Sequence, residues 1–338
     1  MNAIRHHGPG TLAGAKCLVL GAGGFIGLNL CEGLREAGAV VHGYGRRPTF
    51  SHALAGACMT VANLEDTAAL ATALAGVDVV FHLLGGSFPA RAEADPAADL
   101  RGNAAASLDL MALCRDCGVR QIVFISSGGT VYGVPRRIPI GEDHPTDPIS
   151  AYGIHQLLVE KHLGLLTHRH GLQTMVLRVA NPFGPYQQPG RGQGLVSTLI
   201  ERRLTGRPVE IWGDGEVTRD FFHVADLVDA ALAAAVYSGP ERVLNVGSGI
   251  GRSVRDVVGA IDAMLGLEGA EVLHRAARAV DVPVNVLDIA RIRRVLGWAP
   301  RIEWVEGLRD TAEWIQLEWL AQEPARAVAV PVRAGTSQ

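Results

Sequence analysis

The stretch Cys17-Leu-Val-Leu-Gly-Ala-Gly-Gly-Phe-Ile-Gly27 lies near the N-terminus and decides the fold. Its first four residues are apolar and predict a short buried strand, and the glycines that follow predict a tight turn into a helix. Gly21 permits the turn, Gly24 lets the backbone approach a pyrophosphate, and Gly27 lets the helix pack closely on the strand. The first N–H groups of that helix would bind the phosphates. We therefore predict a nicotinamide dinucleotide site; an ordinary strand-to-helix connection is the alternative.

Composition narrows the class of protein and its partners. Hydrophobic residues make up 48% of the 338 residues and charged residues 19%, and the net charge is -3. These values are typical of a globular chain and give no electrostatic reason to expect nucleic acid or an anionic membrane. No apolar run approaches the ~20 residues that span a bilayer, and the N-terminus lacks a signal peptide's apolar segment. We expect a cytoplasmic protein.

The cysteines predict neither a disulfide framework nor a metal site. There are five of them, an odd number spread among predicted strands and helices. Cys114-Arg-Asp-Cys117 is a CxxC sequence, but no second ligand pair has matching spacing. Two small side chains, buried or half-buried, are the better interpretation, and we expect no bound metal.

Strand and helix signals alternate through the first half, which predicts a doubly wound α/β fold with a parallel sheet covered by helices. The predicted strands are Cys17–Leu20, Val40–Tyr44, Val77–Leu83, Gln121–Ser126 and Thr174–Val179. The predicted helices are Phe25–Ala37, Glu65–Leu74, Ala98–Cys117 and Ala151–His170. Prolines and glycines after residue 181 predict an irregular connection into a smaller mixed α/β lobe, with a helix at Gly194–Leu204, a strand at Val209–Trp212, a helix at Ala225–Val236 and a strand at Val243–Val246. The expected organisation is a flexible leader (1–15), a dinucleotide-binding domain (16–180, with 220–250 returning to it), a substrate-binding lobe (mainly 181–320) and a disordered tail (321–338).

Several segments occur in an order that identifies a family. They include Asp78-Val-Val-Phe-His-Leu83, Phe124-Ile-Ser-Ser-Gly-Gly-Thr-Val-Tyr-Gly133, Ser150-Ala-Tyr-Gly-Ile-His-Gln156, Leu177-Arg-Val-Ala-Asn-Pro-Phe-Gly184 and Thr218-Arg-Asp-Phe-Phe-His-Val224. With the glycine-rich turn, this order resembles the extended short-chain dehydrogenases/reductases, specifically their nucleotide-sugar epimerases and dehydratases. The resemblance covers Lys16 to Leu320 and implies a homodimer.

The resemblance implies a catalytic group. Such enzymes remove a hydride from a sugar carbon and a proton from its hydroxyl, with a tyrosine as the base, and Tyr152 matches that position. A hydroxyl side chain holds the sugar oxygen; Thr130 matches it in some members, Ser127 lies nearby, and Gly128 stands where some 4-epimerases have serine. The alternatives are purely structural: Tyr152 is a half-buried aromatic residue at a helix start, and Thr130 is a β-branched residue at a strand end. The Asp-Glu pair of 4,6-dehydratases is absent.

The chain departs from the family at a cation. A lysine normally follows the tyrosine by four residues and lowers its pKa, but here that position is Gln156, which carries no charge. His155 is three residues after Tyr152 and so lies near the same helix face. Either it supplies a titrating positive charge, or it only packs or faces solvent.

Cofactor choice stays open between NAD and NADP. NAD-preferring members place an Asp after the second strand, whereas this chain has Gly45 followed by Arg46 and Arg47, and an Arg can pair with a 2′-phosphate. The cofactor-binding residues implied by the resemblance are Gly21, Gly24, Phe25, Ile26, Gly27, Arg46, Asn63, Leu64, Leu83, Gly85, Asn103, Ser126, Tyr152 and Gln156.

The resemblance also implies a substrate with a diphosphate. Asn181, Arg219 and Arg278 match positions that bind a nucleotide diphosphate, and Asp281 is expected to orient Arg278. Surface ion pairs are the alternative for the two arginines. The leading function is a nucleotide-sugar 4-epimerase acting on a UDP-hexose. The alternatives are an NADPH-dependent reductase of a nucleotide-linked keto-sugar and a catalytically quiet protein that binds a nucleotide sugar.

Overall fold

A computed structural model of the protein describes residues 12–84, 89–190, 194–267, 271–276 and 282–321. Its centre is a seven-stranded parallel sheet with the spatial order β10-β6-β5-β4-β1-β2-β3. The strands are β1 Lys16–Leu20, β2 Val40–Gly45, β3 Cys58–Val61, β4 Val79–His82, β5 Gln121–Ser127, β6 Gln173–Val179 and β10 Val243–Val246. The doubly wound α/β fold is confirmed.

Helices cover both faces of the sheet. They are α1 Phe25–Glu36, α2 Thr67–Ala73, α3 Pro89–Ala94, α4 Pro96–Asp99, α5 Ala106–Asp116, α6 Ala151–His170 and α8 Val224–Val236. The central strands are buried on both sides, in two apolar clusters that lie on opposite faces of the sheet. This two-sided burial explains why the strands read as continuous apolar runs. The predicted strands of the first half lie within two residues of the observed ones, but the edge strand β3, which is half exposed, was missed.

The helix α6 has the predicted bounds because both its ends carry strong signals. The Ser150 hydroxyl accepts a hydrogen bond from the Gly153 N–H at 3.1 Å and caps the N-terminus. Gly171, at φ +69°, ends the helix in the left-handed conformation that favours glycine. The predicted helix at Ala98–Cys117 is instead α4, a π-helical stretch at Leu100–Ala105, and α5. Its start is earlier because Asp95 caps α4.

The second lobe contains short strands that the sequence did not predict. A four-stranded sheet joins β7 Asn181–Phe183, β9 Thr218–His223, β11 Gly251–Ser253 and β13 Val284–Asn285. The strand predicted at Val209–Trp212 is confirmed as β8, and it pairs with the unpredicted β12 Val272–Arg275. The remaining helices are α7 Leu195–Leu204, α9 Val254–Leu265, α10 Ala290–Leu296 and α11 Trp304–Trp314, followed by a π-helical stretch at Ile315–Trp319. The expected irregular connection after residue 181 therefore begins with a strand, β7, that pairs with β9. The domain bounds stay a prediction.

The described part of the chain also bears on the predictions about membrane spans, metal clusters and cysteines. Within it, no helix is long and apolar enough to cross a membrane, and no three His, Cys, Asp or Glu side chains cluster to hold a metal. Cys114 is buried as predicted, but Cys117 is exposed because it follows the end of α5. The predicted leader up to residue 11, the tail from residue 322, Gly85, Arg278 and Asp281 lie outside the described residues.

Candidate active site

The glycine-rich turn forms a close contact between β1 and α1. Gly21 has φ +89°, and a Cβ atom at Gly27 would lie 2.1 Å from the Gly21 carbonyl oxygen. Gly24 is the N-cap of α1, where no side chain makes a capping hydrogen bond and the first turn holds no acidic residue. The N-terminal N–H groups around Phe25 and Ile26 thus face no competing carboxylate from their own helix. This cradle fits the diphosphate of a dinucleotide.

The surroundings of this turn include most of the residues predicted to contact the cofactor. Leu83 follows β4, and its Cβ lies 3.3 Å from the position a Cβ would take at Gly21. The Arg46 side chain is exposed, and its carbonyl oxygen lies 3.0 Å from a Cβ built at Gly23. Asn63 is exposed, with its carbonyl accepting the Tyr44 hydroxyl at 2.8 Å. The adjacent Leu64 is buried.

Tyr152 lies in the first turn of α6, half-buried, and its phenol interacts with Gln156 one turn later. Burial raises the pKa of Tyr152 to about 12; a hydrogen bond from the Gln156 side chain opposes the rise, and the negative charge of Asp99 adds to it. Gln156 is 1% exposed. The side chain in the lysine position thus stabilises tyrosinate by a hydrogen bond and not by a charge.

The hydroxyl partners predicted for Tyr152 follow β5. The carbonyl oxygen of Thr130 lies 2.9 Å from a Cβ built at Gly153, so the loop after β5 contacts the first turn of α6. The Thr130 Oγ1 atom is buried and has no hydrogen-bond partner in the part of the chain that the structure describes. Ser127 ends β5 and is half-buried. A buried hydroxyl without a partner calls for an explanation. A hydrogen bond from Thr130 to an oxygen of a bound substrate would provide one.

Gly128 has a steric reason to lack a side chain. A Cβ there would lie 2.6 Å from Leu287 Cδ1 and 3.1 Å from the Arg178 carbonyl oxygen. Leu287 follows β13 of the second lobe. A serine at Gly128 would therefore displace Leu287, which leaves Thr130 as the stronger candidate for the hydroxyl partner.

His155 does not face solvent. Its Nδ1 lies 2.7 Å from Asp99 Oδ2, and the two residues are 7% and 6% exposed. The other Asp99 oxygen accepts a hydrogen bond from Asn103 Nδ2 at 2.8 Å. Asn103, predicted to contact the cofactor, thus joins this group from the π-helical stretch, where such irregularities often mark functional sites.

Ser126 is turned into the core. Its hydroxyl donates to Glu160 Oε1 at 2.5 Å, and Glu160 also receives hydrogen bonds from Arg178 at 2.6 and 3.1 Å. A contact from Ser126 to a cofactor would therefore use backbone atoms. The sequence interpretation missed Glu160 and Arg178. Arg178 stands between Leu177 and Val179 in a strand predicted to be buried, and a buried arginine is almost always paired.

Two of the predicted diphosphate ligands, Asn181 and Arg219, lie on the second lobe. Asn181 begins β7 and donates to the Asp220 carbonyl at 3.2 Å. Arg219, on β9, donates to the Thr218 and Val282 carbonyls at 2.9 and 2.7 Å. The Asp220 carboxylate accepts hydrogen bonds from Ser248, Gly249 and Leu287, and burial raises its pKa. Asp220 therefore fixes the strand that carries Arg219 against the loop after β10.

Comparison with known proteins agrees with this arrangement. Residues 17–247 match the model of the NAD-dependent epimerase/dehydratase family. A UDP-glucose 4-epimerase of Mycolicibacterium smegmatis is 33% identical over 309 residues, which cover 89% of this chain and 98% of the relative. A UDP-glucose 4-epimerase of Thermotoga maritima, solved with UDP-glucose, superposes with a TM-score of 0.85 at 32% identity, covering 89% of this chain and 98% of that one. The UDP-glucose 4-epimerase of Thermus thermophilus, solved with NAD, gives a TM-score of 0.83 at 29% identity, with coverages of 90% and 99%. The chain belongs to the NAD-dependent epimerase/dehydratase family, and its cofactor is NAD or NADP.

Proposed function

We propose that the protein is a nucleotide-sugar 4-epimerase that acts on a UDP-hexose with bound NAD or NADP. The observation that carries the proposal is that the chain segments holding Thr130 and Tyr152 pack against each other. The loop that holds Thr130 contacts the first turn of α6, and the Thr130 hydroxyl is buried without a described partner. A base and a hydroxyl donor at the carboxyl edge of the sheet, near the glycine-rich turn, suit the oxidation of a secondary alcohol.

Each group has a distinct role in the proposed reaction. When bound, a nicotinamide dinucleotide supplies a hydride acceptor and donor. Tyr152 takes the proton of the sugar hydroxyl and later returns it, and Thr130 donates a hydrogen bond that orients the same oxygen. Gln156 donates to the Tyr152 phenol. Asn181 and Arg219 would bind the diphosphate, for which a planar guanidinium is well suited.

One observation favours a second function, reduction of a nucleotide-linked keto-sugar. Burial raises the pKa of Tyr152 to about 12, so its phenol is protonated at neutral pH and ready to act as an acid. The exposed Arg46 beside the glycine-rich turn suits the 2′-phosphate of NADPH. In this reaction Tyr152 only donates a proton, so a missing lysine matters less.

Cofactor extraction and two assays separate these functions. Bound NAD together with interconversion of UDP-glucose and UDP-galactose, or of their N-acetyl or uronate forms, supports the epimerase. Stoichiometric consumption of NADPH with a nucleotide-linked keto-sugar supports the reductase, and ligand binding without turnover supports a catalytically quiet protein. Tyr152→Phe is the control: we expect it to reduce either turnover by about 10²–10⁴-fold, the usual contribution of a general acid or base, while the protein stays folded. Turnover by Tyr152→Phe at the wild-type rate would contradict both catalytic proposals.

A further inference from the structure

Asp99 and His155 form a buried pair to which the proposed reaction assigns no role. Asp99 is the last residue of α4, and His155 lies near the N-terminal end of α6. Their 2.7 Å contact joins the two helices. An aspartate this buried almost always has a partner. Here the partner is the imidazole, whose orientation is fixed because its Nδ1 lies against the carboxylate.

The pair lies within electrostatic reach of Tyr152. His155 is three residues after Tyr152 on α6, a spacing that brings Cβ atoms to roughly 5–6 Å. Gln156, the next residue, interacts with the phenol itself. The negative charge of Asp99 contributes to the raised pKa of Tyr152, after burial. The helix α4 therefore presents a negative charge to a phenol carried by α6.

The protonation state of His155 decides the net charge of the Asp99–His155 pair. With a neutral imidazole, Asp99 presents a net negative charge that opposes tyrosinate; with an imidazolium, the pair is neutral and its positive member is on the helix of Tyr152. Another carboxylate also contacts this end of α6, since Glu93 accepts a hydrogen bond from the Ala151 N–H at 2.6 Å. Farther along, the charge of Glu160 is matched by Arg178. A carboxylate in hydrogen-bond contact with an imidazole stabilises a positive charge on it, and Asp99 is that carboxylate for His155.

We propose that Asp99 and His155 are positioning residues for Tyr152: Asp99 orients His155 and keeps it as an imidazolium, which supplies the positive charge that Gln156 lacks. This inference rests on the proposed acid–base role of Tyr152. It adds Asp99, from a different helix, to the groups that set the strength of the base.

The first test reads the protonation of His155 directly, in the cofactor-free protein. Nitrogen NMR of the imidazole rings, with His155→Gln used to assign the signal, should show both ring nitrogens of His155 protonated at neutral pH. In Asp99→Asn the same ring should carry one proton. A singly protonated His155 ring in the wild-type protein at neutral pH would overturn the proposal.

The second test asks whether a lysine makes the pair dispensable. His155→Gln should lower kcat at neutral pH by about 30–100-fold with KM little changed, as expected for the loss of one charge at this distance. In a Gln156→Lys background the same substitution should cost less than about 3-fold, because the ammonium supplies the charge. His168→Gln, an exposed position on the same helix, is the matched control and should change neither background.

The outcomes distinguish this inference from the proposed function. Equal losses in the two backgrounds would indicate a structural role and overturn the inference while the epimerase stands. A wild-type protein without epimerase or reductase turnover would overturn the proposed function, and the role of the pair in catalysis with it, whatever NMR shows for His155.

Discussion

Two buried acid–base pairs lie on the same helix, α6, and they differ in the basic partner, which is a histidine in one and an arginine in the other. Near the N-terminal end, His155 contacts Asp99 at 2.7 Å. Farther along, Glu160 contacts Arg178 of β6 at 2.6 Å. An arginine stays charged at any pH at which proteins fold, whereas a histidine changes charge near neutrality. The helix therefore has a pair with a fixed cation against the sheet, the fixed pair, and a pair whose base is a histidine three residues after Tyr152.

The pair of Glu160 and Arg178 belongs to a network that extends from α6 across the sheet. Glu160 receives hydrogen bonds from two Arg178 nitrogens and from the Ser126 hydroxyl, and the Arg178 guanidinium stacks on the Tyr132 ring at 4.9 Å. Tyr132 in turn donates to Asn245 at 2.6 Å, which connects β10 to the network. Such a connected ionic group holds α6, β5, β6 and β10 in one register. These contacts indicate that the end of α6 bearing Glu160 anchors the helix to the sheet.

Breaking the fixed pair should produce the largest effect on stability. Glu160→Gln leaves the Arg178 charge buried without a carboxylate, and we expect the free energy of unfolding to fall by about 3–5 kcal/mol. Urea denaturation measures this loss. The matched control is Asp147→Asn, which breaks a 3.4 Å pair with Arg136 whose side chains are more than two-thirds exposed; it should cost less than about 1 kcal/mol. Similar losses for the two variants would contradict the anchoring role.

Adding a fixed charge at the other end should act on Tyr152 rather than on stability. Gln156→Lys places an ammonium beside the phenol, and we expect the pKa of Tyr152 to fall from about 12 by roughly one unit or more. Ultraviolet titration of tyrosinate, taken as the difference from a Tyr152→Phe variant, measures the shift. Ile154→Lys is the control, because Ile154 lies in the same turn but is 52% exposed. An equal shift from Ile154→Lys would show that the position of the charge is unimportant.

The strands of the central sheet and the bounds of α6 could be predicted from the sequence because their signals are local. The strands of the first half follow from continuous apolar runs, and the bounds of α6 follow from Ser150 and Gly171, which cap it. The contact of Tyr152 with Gln156 follows from helical spacing alone. In each of these cases the signal and the structure it predicts lie within a few residues of each other.

Contacts between distant segments were not predictable in this way. Asp99 and His155 are 56 residues apart, and their meeting depends on how α4 packs on α6. The strands of the second lobe have as few as two residues, as in β13, so period-two patterning has no room to develop. Leu287 fills the space beside Gly128, and the sequence around either residue gives no signal that predicts this contact. Arg178 did carry a signal, a charge inside a buried apolar strand, although its partner could not be named.

A third buried group, His82, sharpens the contrast with His155 because its described contacts include no carboxylate. His82 is fully buried at the end of β4, and its Nε2 lies 2.8 Å from the Ser107 hydroxyl. Burial lowers its pKa to about 3, whereas an unfolded histidine titrates near 6.5. Between these values only the unfolded chain binds the proton. Burial of His82 therefore costs no stability above about pH 6.5, and below that pH the free energy of unfolding falls by about 1.4 kcal/mol for each pH unit of acidification.

Replacing His82 should therefore remove part of the acid sensitivity of the fold. We expect the unfolding free energy of His82→Phe, measured by urea denaturation between about pH 5.5 and pH 4, to fall less steeply than that of the wild type by ~1.4 kcal/mol per pH unit. His168→Gln, at an exposed position, should keep the wild-type slope. A His82→Phe variant with an unchanged slope would mean that His82 binds its proton equally well in the folded chain. Burial without a contacting carboxylate would then not be enough to keep His82 neutral.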